Sequence, residues 1–197
     1  CHIHTAFSPD SATAAEKMIE RAVQLGLQHI AITDHFDPRH PENMIGIADP
    51  DAYVSHLKEL KQKYAKDIYV SIGVELGYMS LSGEDVKQFT LNRDIEYIIN
   101  SVHVVGGMDC YNKRFFKERT QKEVYVEYLT TVYESVNACY RYDAVGHVGY
   151  VARKAPYKDP DIAYEIYHDW LDHIFDTIIE REKILEVNTS ANGRSIS

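Results

Sequence analysis

His2-Ile3-His4 sets two imidazoles two residues apart, and in an extended strand the side chains at i and i+2 leave the same face, so both can reach one metal ion. With ten histidines in the chain, such a pair can arise by accident and carries little weight alone. Its weight comes from recurrence. His35 closes Ile32-Thr33-Asp34-His35, Glu75 closes Gly73-Val74-Glu75, His103 closes Asn100-Ser101-Val102-His103, and His147 lies in Gly146-His147-Val148-Gly149. Each stands where a short apolar run gives way to polar residues. Imidazole and carboxylate are donors that zinc, iron and manganese all accept, and together these groups exceed what one tetrahedral ion needs. The set predicts a site for more than one ion, with Glu75 able to bridge two of them through its two oxygens. A purely structural role is disfavoured, because the same groups buried without partners would cost stability.

The elements that must position these residues alternate along the chain. Thr13 followed by Glu16 reads as a capping box, and Ala15, Met18, Ile19, Ala22 and Val23 then recur at helical spacing until Gly26 offers a stop. Ile30-Ala31-Ile32-Thr33 reads as a buried strand ending at Asp34-His35. The pattern repeats with a helix near 53–64 before a strand from Ile68 to Val74, and with a strand from Ile95 to Val102 before His103. A long amphipathic helix from about Gln121 to Tyr140 precedes Ala144-Val145-Gly146-His147, and another from about Ile162 to Glu182 precedes Ile184-Leu185-Glu186-Val187-Asn188. His2-Ile3-His4 is itself expected in a strand. Alternating strands and helices predict a parallel sheet or barrel with a site at the C-terminal ends of the strands.

The bulk properties narrow the setting. The 197 residues, 45% of them hydrophobic, suffice for one core and predict one domain. A net charge of −9, from 21 Lys and Arg against 30 Asp and Glu, argues against nucleic acid and anionic membranes as partners. A small phosphate remains compatible, because metal ions can reverse the field inside one pocket. Cys1, Cys110 and Cys139 form no C-x-x-C pair and suggest no disulfide framework. With no leader and no run long enough to span a membrane, the chain reads as soluble and cytoplasmic. It opens on Cys1 rather than Met, which predicts a segment upstream.

Taken in order, His2-Ile3-His4-Thr5-Ala6-Phe7-Ser8-Pro9-Asp10, Ile32-Thr33-Asp34-His35, Gly73-Val74-Glu75, Ser101-Val102-His103, Gly146-His147 and Glu186-Val187-Asn188-Thr189 resemble the motifs of the PHP (polymerase and histidinol phosphatase) family. The resemblance covers nearly the whole chain and is nearest to the family's histidinol phosphatases. It implies an α/β fold, a distorted (βα)7 barrel with the metal site at the C-terminal strand ends. It also implies two or three divalent ions, Zn, Mn or Fe, held by His2, His4, Asp10, His35, Glu75, His103 and His147. Arg153, six residues after His147, matches an arginine placed on the substrate phosphate, and Glu75, His103 and Arg153 form the expected catalytic group. His40 in the loop beyond His35 and Asn188 at the last strand are candidate substrate contacts, as is Ser190. His40 also reads as an ordinary exposed loop residue, and Asp37 is placed near the substrate amine only by its neighbourhood.

Two features depart from the family pattern. An Asp expected two residues before the first His falls outside the chain, and the closing Asp-x-His motif has no counterpart. Residues 1–197 are therefore read as a single catalytic domain lacking its C-terminal strand and that motif. The expected activity is hydrolysis of L-histidinol phosphate to L-histidinol and phosphate, as in histidine biosynthesis. The alternatives are another PHP phosphoesterase, acting on a phosphodiester or phosphotyrosine, or a catalytically silent metal-binding module. An amidohydrolase would place a lysine where Glu75 stands. The small phosphorylated substrate is the expected partner, and the oligomeric state stays open.

Overall fold

The computed structural model describes residues 1–188, so Thr189 and Ser190 lie outside the described residues. In chain order the elements are α1 (Ala15–Gln24), β1 (His29–Ile32), β2 (His35–Phe36), α2 (Pro50–Lys63), β3 (Tyr69–Gly77), α3 (Gly83–Thr90), β4 (Tyr97–Ser101), β5 (Val104–Val105), β6 (Met108–Asp109), α4 (Gln121–Val136), β7 (Ala144–Val145), α5 (Tyr164–Glu180) and β8 (Ile184–Leu185). They form an α/β fold around a curled parallel sheet of order β1-β3-β4-β7-β8, with β2 also paired to β3. Among the described residues no helix is long and apolar enough to cross a membrane.

β3 holds the sheet together. It is buried from Val70 to Gly77, and its register sets Ile32 beside Ile72 and His35 beside Glu75 on one side, and Glu75 beside Ile99 on the other. A strand covered on both faces must be apolar almost throughout, which explains the run Val70-Ser71-Ile72-Gly73-Val74. Ile19 of α1, Leu57 of α2, Leu129 of α4 and Leu171 of α5 pack into one core with Ile32, Ile72, Val74 and Ile98. Burying each such side chain contributes roughly 1.5–3 kcal/mol.

Several local expectations need correction. The first helix is capped by Ala14 without a side-chain bond, because Glu16 turns to α2 and accepts from Tyr64 at 3.0 Å. A capping box does form at α4, where Thr120 and Glu123 bond reciprocally. The stop at Gly26 is real: its φ of +71° closes α1 with a bond from Leu27 N–H to Ala22 O at 3.0 Å. α4 ends at Val136, short of Tyr140, because Tyr140 and Tyr142 turn inward and donate to Asn100 Oδ1 and Val136 O at 2.7 and 2.6 Å. Helix α3 and the antiparallel pair β5–β6 were not anticipated, although Gly106-Gly107, with φ of +57° and +77°, is the expected chemistry of a tight hairpin turn.

The segment carrying His2 and His4 is not a strand. It makes one backbone bond to the edge of β1, from Thr33 N–H to Ile3 O at 2.9 Å, and is then turned away by Asp34. That carboxylate is fully buried and accepts from Thr5 N–H at 2.6 Å, Thr5 Oγ1 at 2.8 Å and Ser8 Oγ at 2.6 Å. A side chain thus does what a ladder would have done. Asp34→Ala should lower unfolding free energy by roughly 2–4 kcal/mol, because it strands the buried Thr5 N–H. Urea denaturation checks this, and a change within about 0.5 kcal/mol, the range of an ordinary surface substitution, would contradict it.

Candidate metal centre

Glu75 is fully buried on β3 and faced by five imidazoles. Its Oε1 lies 2.8 Å from His147 Nε2 and 3.2 Å from His103 Nε2. Its Oε2 lies 3.0 Å from His4 Nε2, 3.1 Å from His35 Nδ1 and 3.2 Å from His2 Nε2. Parallel register brings His35 on β2 directly beside Glu75, while His103 and His147 follow the ends of β4 and β7. Gly146 allows this closeness, since a Cβ there would meet Ser101 Oγ at 2.1 Å.

The donor set fits divalent metal. Glu75 Oε2 has three imidazole nitrogens around it yet none in hydrogen-bond geometry, and His147 Nδ1 has no hydrogen-bond partner among the described residues. His2 Nε2 and His4 Nε2 are 3.0 Å apart, so at most one of them can carry the shared proton. Donors about 3 Å apart form the edges of a coordination polyhedron with bonds of about 2.0–2.1 Å. Three groupings bring their donor atoms within 4.8 Å: His2, Glu75 and His147; His4, His35 and Glu75; His35, Asp37 and His103.

The charges are strongly coupled. Burial works against charge on the rings, but Glu75 and Glu186 outweigh it at His2, and Asp37 and Glu75 do so at His103, raising each to about 9. His35, between Glu75, Asp10 and Asp37, rises to about 11. His147 is pulled down to about 4 by burial, which its contact with Glu75 does not offset. Burial alone would raise Glu75, yet the surrounding imidazoles hold it well below the ordinary carboxylate range.

The other predicted residues take distinct positions. Asp10, partly exposed, lies 2.9 Å from His4 Nδ1 and 3.7 Å from His35 Nε2. Arg153 ends a 3-10 turn, Tyr150–Arg153, and lines the same cavity of about 1020 Å³ as the histidine cluster. Its Nη1 donates to Tyr111 Oη at 3.4 Å and its guanidinium lies 5.5 Å over the Tyr150 ring. His40 is buried rather than exposed, because its Nε2 sits 3.2 Å from Asp109 Oδ2 in a recess beside Asp10 and Asp37. Asn188 lines the large cavity and donates to Glu186 Oε1 at 3.1 Å. His56, His168 and His173 are not among the imidazoles around Glu75, and His29 bonds Ser71 Oγ at 2.8 Å on the same cavity's wall.

Two carboxylates were given too little. Asp37 sets its oxygens 2.9 Å from His35 Nδ1 and 2.7 Å from His103 Nδ1. Glu186 puts Oε1 2.7 Å from His2 Nδ1 and accepts from His147 N–H through Oε2 at 2.7 Å. The available signal was the same as for Glu75, an acidic residue just past an apolar strand. Tyr111 and Tyr150, stacked at 4.4 Å and 6°, were hidden among fifteen tyrosines.

The model of the PHP domain family matches residues 1–190. The chain belongs to the PHP family. A Clostridium acetobutylicum protein named probable histidinol-phosphatase is 31% identical over 189 residues, covering 95% of this chain and 71% of that one. The histidinol-phosphatase of Lactococcus lactis is 30% identical over 189 residues, covering 95% of this chain and 70% of its own length. A crystal structure of the Lactococcus lactis histidinol phosphate phosphatase, complexed with zinc, L-histidinol and phosphate, superposes with a TM-score of 0.89 at 30% identity, over 95% of this chain and 72% of that one.

Stability of this PHP domain should depend on pH when metal is removed. His2 and His103 are raised from 6.5 to about 9, so their protons stabilise the metal-free fold fully below 6.5 and are lost as pH rises toward about 9. The thermal midpoint of chelated protein should fall by roughly 5 °C or more across that window, and fall less with metal bound. Scanning fluorimetry with and without chelator checks this; a flat profile for the chelated protein would contradict it.

Proposed function

We propose that this PHP domain is a metal-dependent phosphatase that hydrolyses L-histidinol phosphate to L-histidinol and phosphate. The observation that carries the reading is a buried carboxylate, Glu75, ringed by five imidazole nitrogens at 2.8–3.2 Å in a cavity that Arg153 also lines. The relatives named histidinol-phosphatase, and the zinc, L-histidinol and phosphate in the Lactococcus lactis complex, support the choice of substrate.

In this reading His2, His4, Asp10, His35, Glu75, His103 and His147 would hold two or three divalent ions, zinc, manganese or iron, and Glu75 belongs to two of the three donor groupings. Ions held there would supply a water acidic enough to act as nucleophile at neutral pH and positive charge against the phosphoryl oxygens. Without metal the surrounding imidazoles hold Glu75 below the ordinary carboxylate range, and bound cations would keep the same carboxylate ionised. Arg153 offers a planar fork to the phosphate, and its stacking on Tyr150 limits the directions it can take. His103, braced by Asp37, belongs to the catalytic group. His40, anchored on Asp109, and Asn188, anchored on Glu186, contact the organic part of the substrate.

Residues 1–197 belong to a single catalytic domain of the distorted (βα)7 type, without its C-terminal strand and Asp-x-His motif, and with its site at the C-terminal strand ends. The positions of Glu75 late in β3, His103 after β4 and His147 after β7 support that placement. The net charge of −9 supports a small phosphate over nucleic acid, and three free thiols support a reducing, cytoplasmic setting.

Phosphate release from L-histidinol phosphate, p-nitrophenyl phosphate and a phosphodiester, with and without manganese or zinc, tests the reading. Histidinol phosphate should be preferred, and Glu75→Ala should lower its turnover by about 10³-fold or more, the order of loss for a group that stabilises the transition state electrostatically. Arg153→Ala should raise KM about tenfold or more, equivalent to about 1.4 kcal/mol, with partial recovery in Arg153→Lys. No release from any of the three by metal-loaded protein would overturn it.

A further inference from the structure

We propose that Glu186 is a positioning residue of the metal centre, fixing the tautomer of His2 with one oxygen and the placement of His147 with the other. This rests on the metal-binding reading above but assigns a role to a side chain outside the ligand set. The geometry is specific. His2 Nδ1 lies 2.7 Å from Glu186 Oε1, and an ionised carboxylate only accepts, so the proton of the neutral ring belongs on Nδ1. The lone pair then falls on Nε2, which faces Glu75 Oε2 at 3.2 Å and His4 Nε2 at 3.0 Å.

The second oxygen accepts from the backbone N–H of His147 at 2.7 Å, the residue whose Nε2 lies 2.8 Å from Glu75 Oε1. One carboxylate therefore sets the ring state of one candidate ligand and the backbone of another, on opposite oxygens of Glu75. Glu186 can do this because it continues β8, with its N–H bonded to Val145 O at 3.0 Å, and because Asn188 Nδ2 donates to Oε1 at 3.1 Å. Its side chain is only 15% exposed, so water competes little for these bonds. Asp37 braces His103 in the same manner, on Nδ1 at 2.7 Å with Nε2 toward Glu75, and the rule is general: a carboxylate on the far nitrogen orients an imidazole and makes it a stronger donor.

The test uses the full chain, as wild type, Glu186→Gln and Glu186→Ala. Zinc affinity by chelator competition should weaken about 10–100-fold in Glu186→Ala. Glu186→Gln should lose less, since its amide offers one accepting atom where two are needed. In parallel, nitrogen-15 NMR of the imidazoles, followed to a pH at which the His2 signal shows a neutral ring, should report the Nδ1–H tautomer in metal-free wild type and a shift toward Nε2–H in the variants. If wild type binds no zinc, the metal reading fails while the tautomer still decides the role of Glu186. An Nε2–H signature in wild type, or variants with unchanged His2 signals, would overturn the proposal even if affinity fell, because general loosening of β8 would do the same. Should Glu186→Ala not fold, Glu186→Gln and the wild-type tautomer remain decisive.

Discussion

A carboxylate taken wholly out of water costs several kcal/mol unless positive charge or metal stands around it. Glu75 is such a carboxylate, and it lies on the strand that pairs with β1, β2 and β4 at once. The price is met by five rings converging from four stretches of chain, and every stretch must stop at the right depth for its nitrogens to reach the same two oxygens. The lengths of the strands, the glycine at 146 and the sharp exits of the loops are all consequences of that one requirement. Removing the ring of imidazoles would leave an anion in the middle of an apolar sheet.

Around this centre a second circle of acids holds the rings still. Asp34 shapes the backbone that carries His4, Asp37 grips His35 and His103, and Glu186 grips His2 and the amide of His147. The arrangement alternates in sign outward from Glu75: acid, imidazole, acid. Such alternation offsets charge locally in a chain whose total charge is −9, and cations bound at the centre would reverse the field for an anionic ligand.

Much of this was readable from the residues alone. The imidazoles and Glu75 announced themselves because strand ends are marked by an abrupt change from apolar to polar, and because parallel strands deliver their C-terminal ends to one side. The alternation of helices and strands was equally plain. What escaped depended on partners far away in sequence. Glu16 was taken by α2 instead of capping its own helix, and Tyr140 was drawn inward by Asn100, so both local patterns were overruled by tertiary bonds. The segment 2–4 read as a strand and is not one, because a buried carboxylate, 29 residues beyond the Thr5 N–H it accepts from, stands in for the ladder that a strand would require. Asp37 and Glu186 were visible as acids and silent as to direction, since no spacing rule tells which way a loop carboxylate turns.

The bond between His2 and Glu186 joins positions 184 residues apart. Synthesis on the ribosome delivers the first of these long before the second. Until β8 emerges, His2 has no carboxylate to set its proton, His147 has no clamp on its amide, and the early histidines are loose rings on an unfinished sheet. Loading with metal is thereby tied to completion of the fold: a half-made chain offers scattered donors, and only the finished one offers a cage.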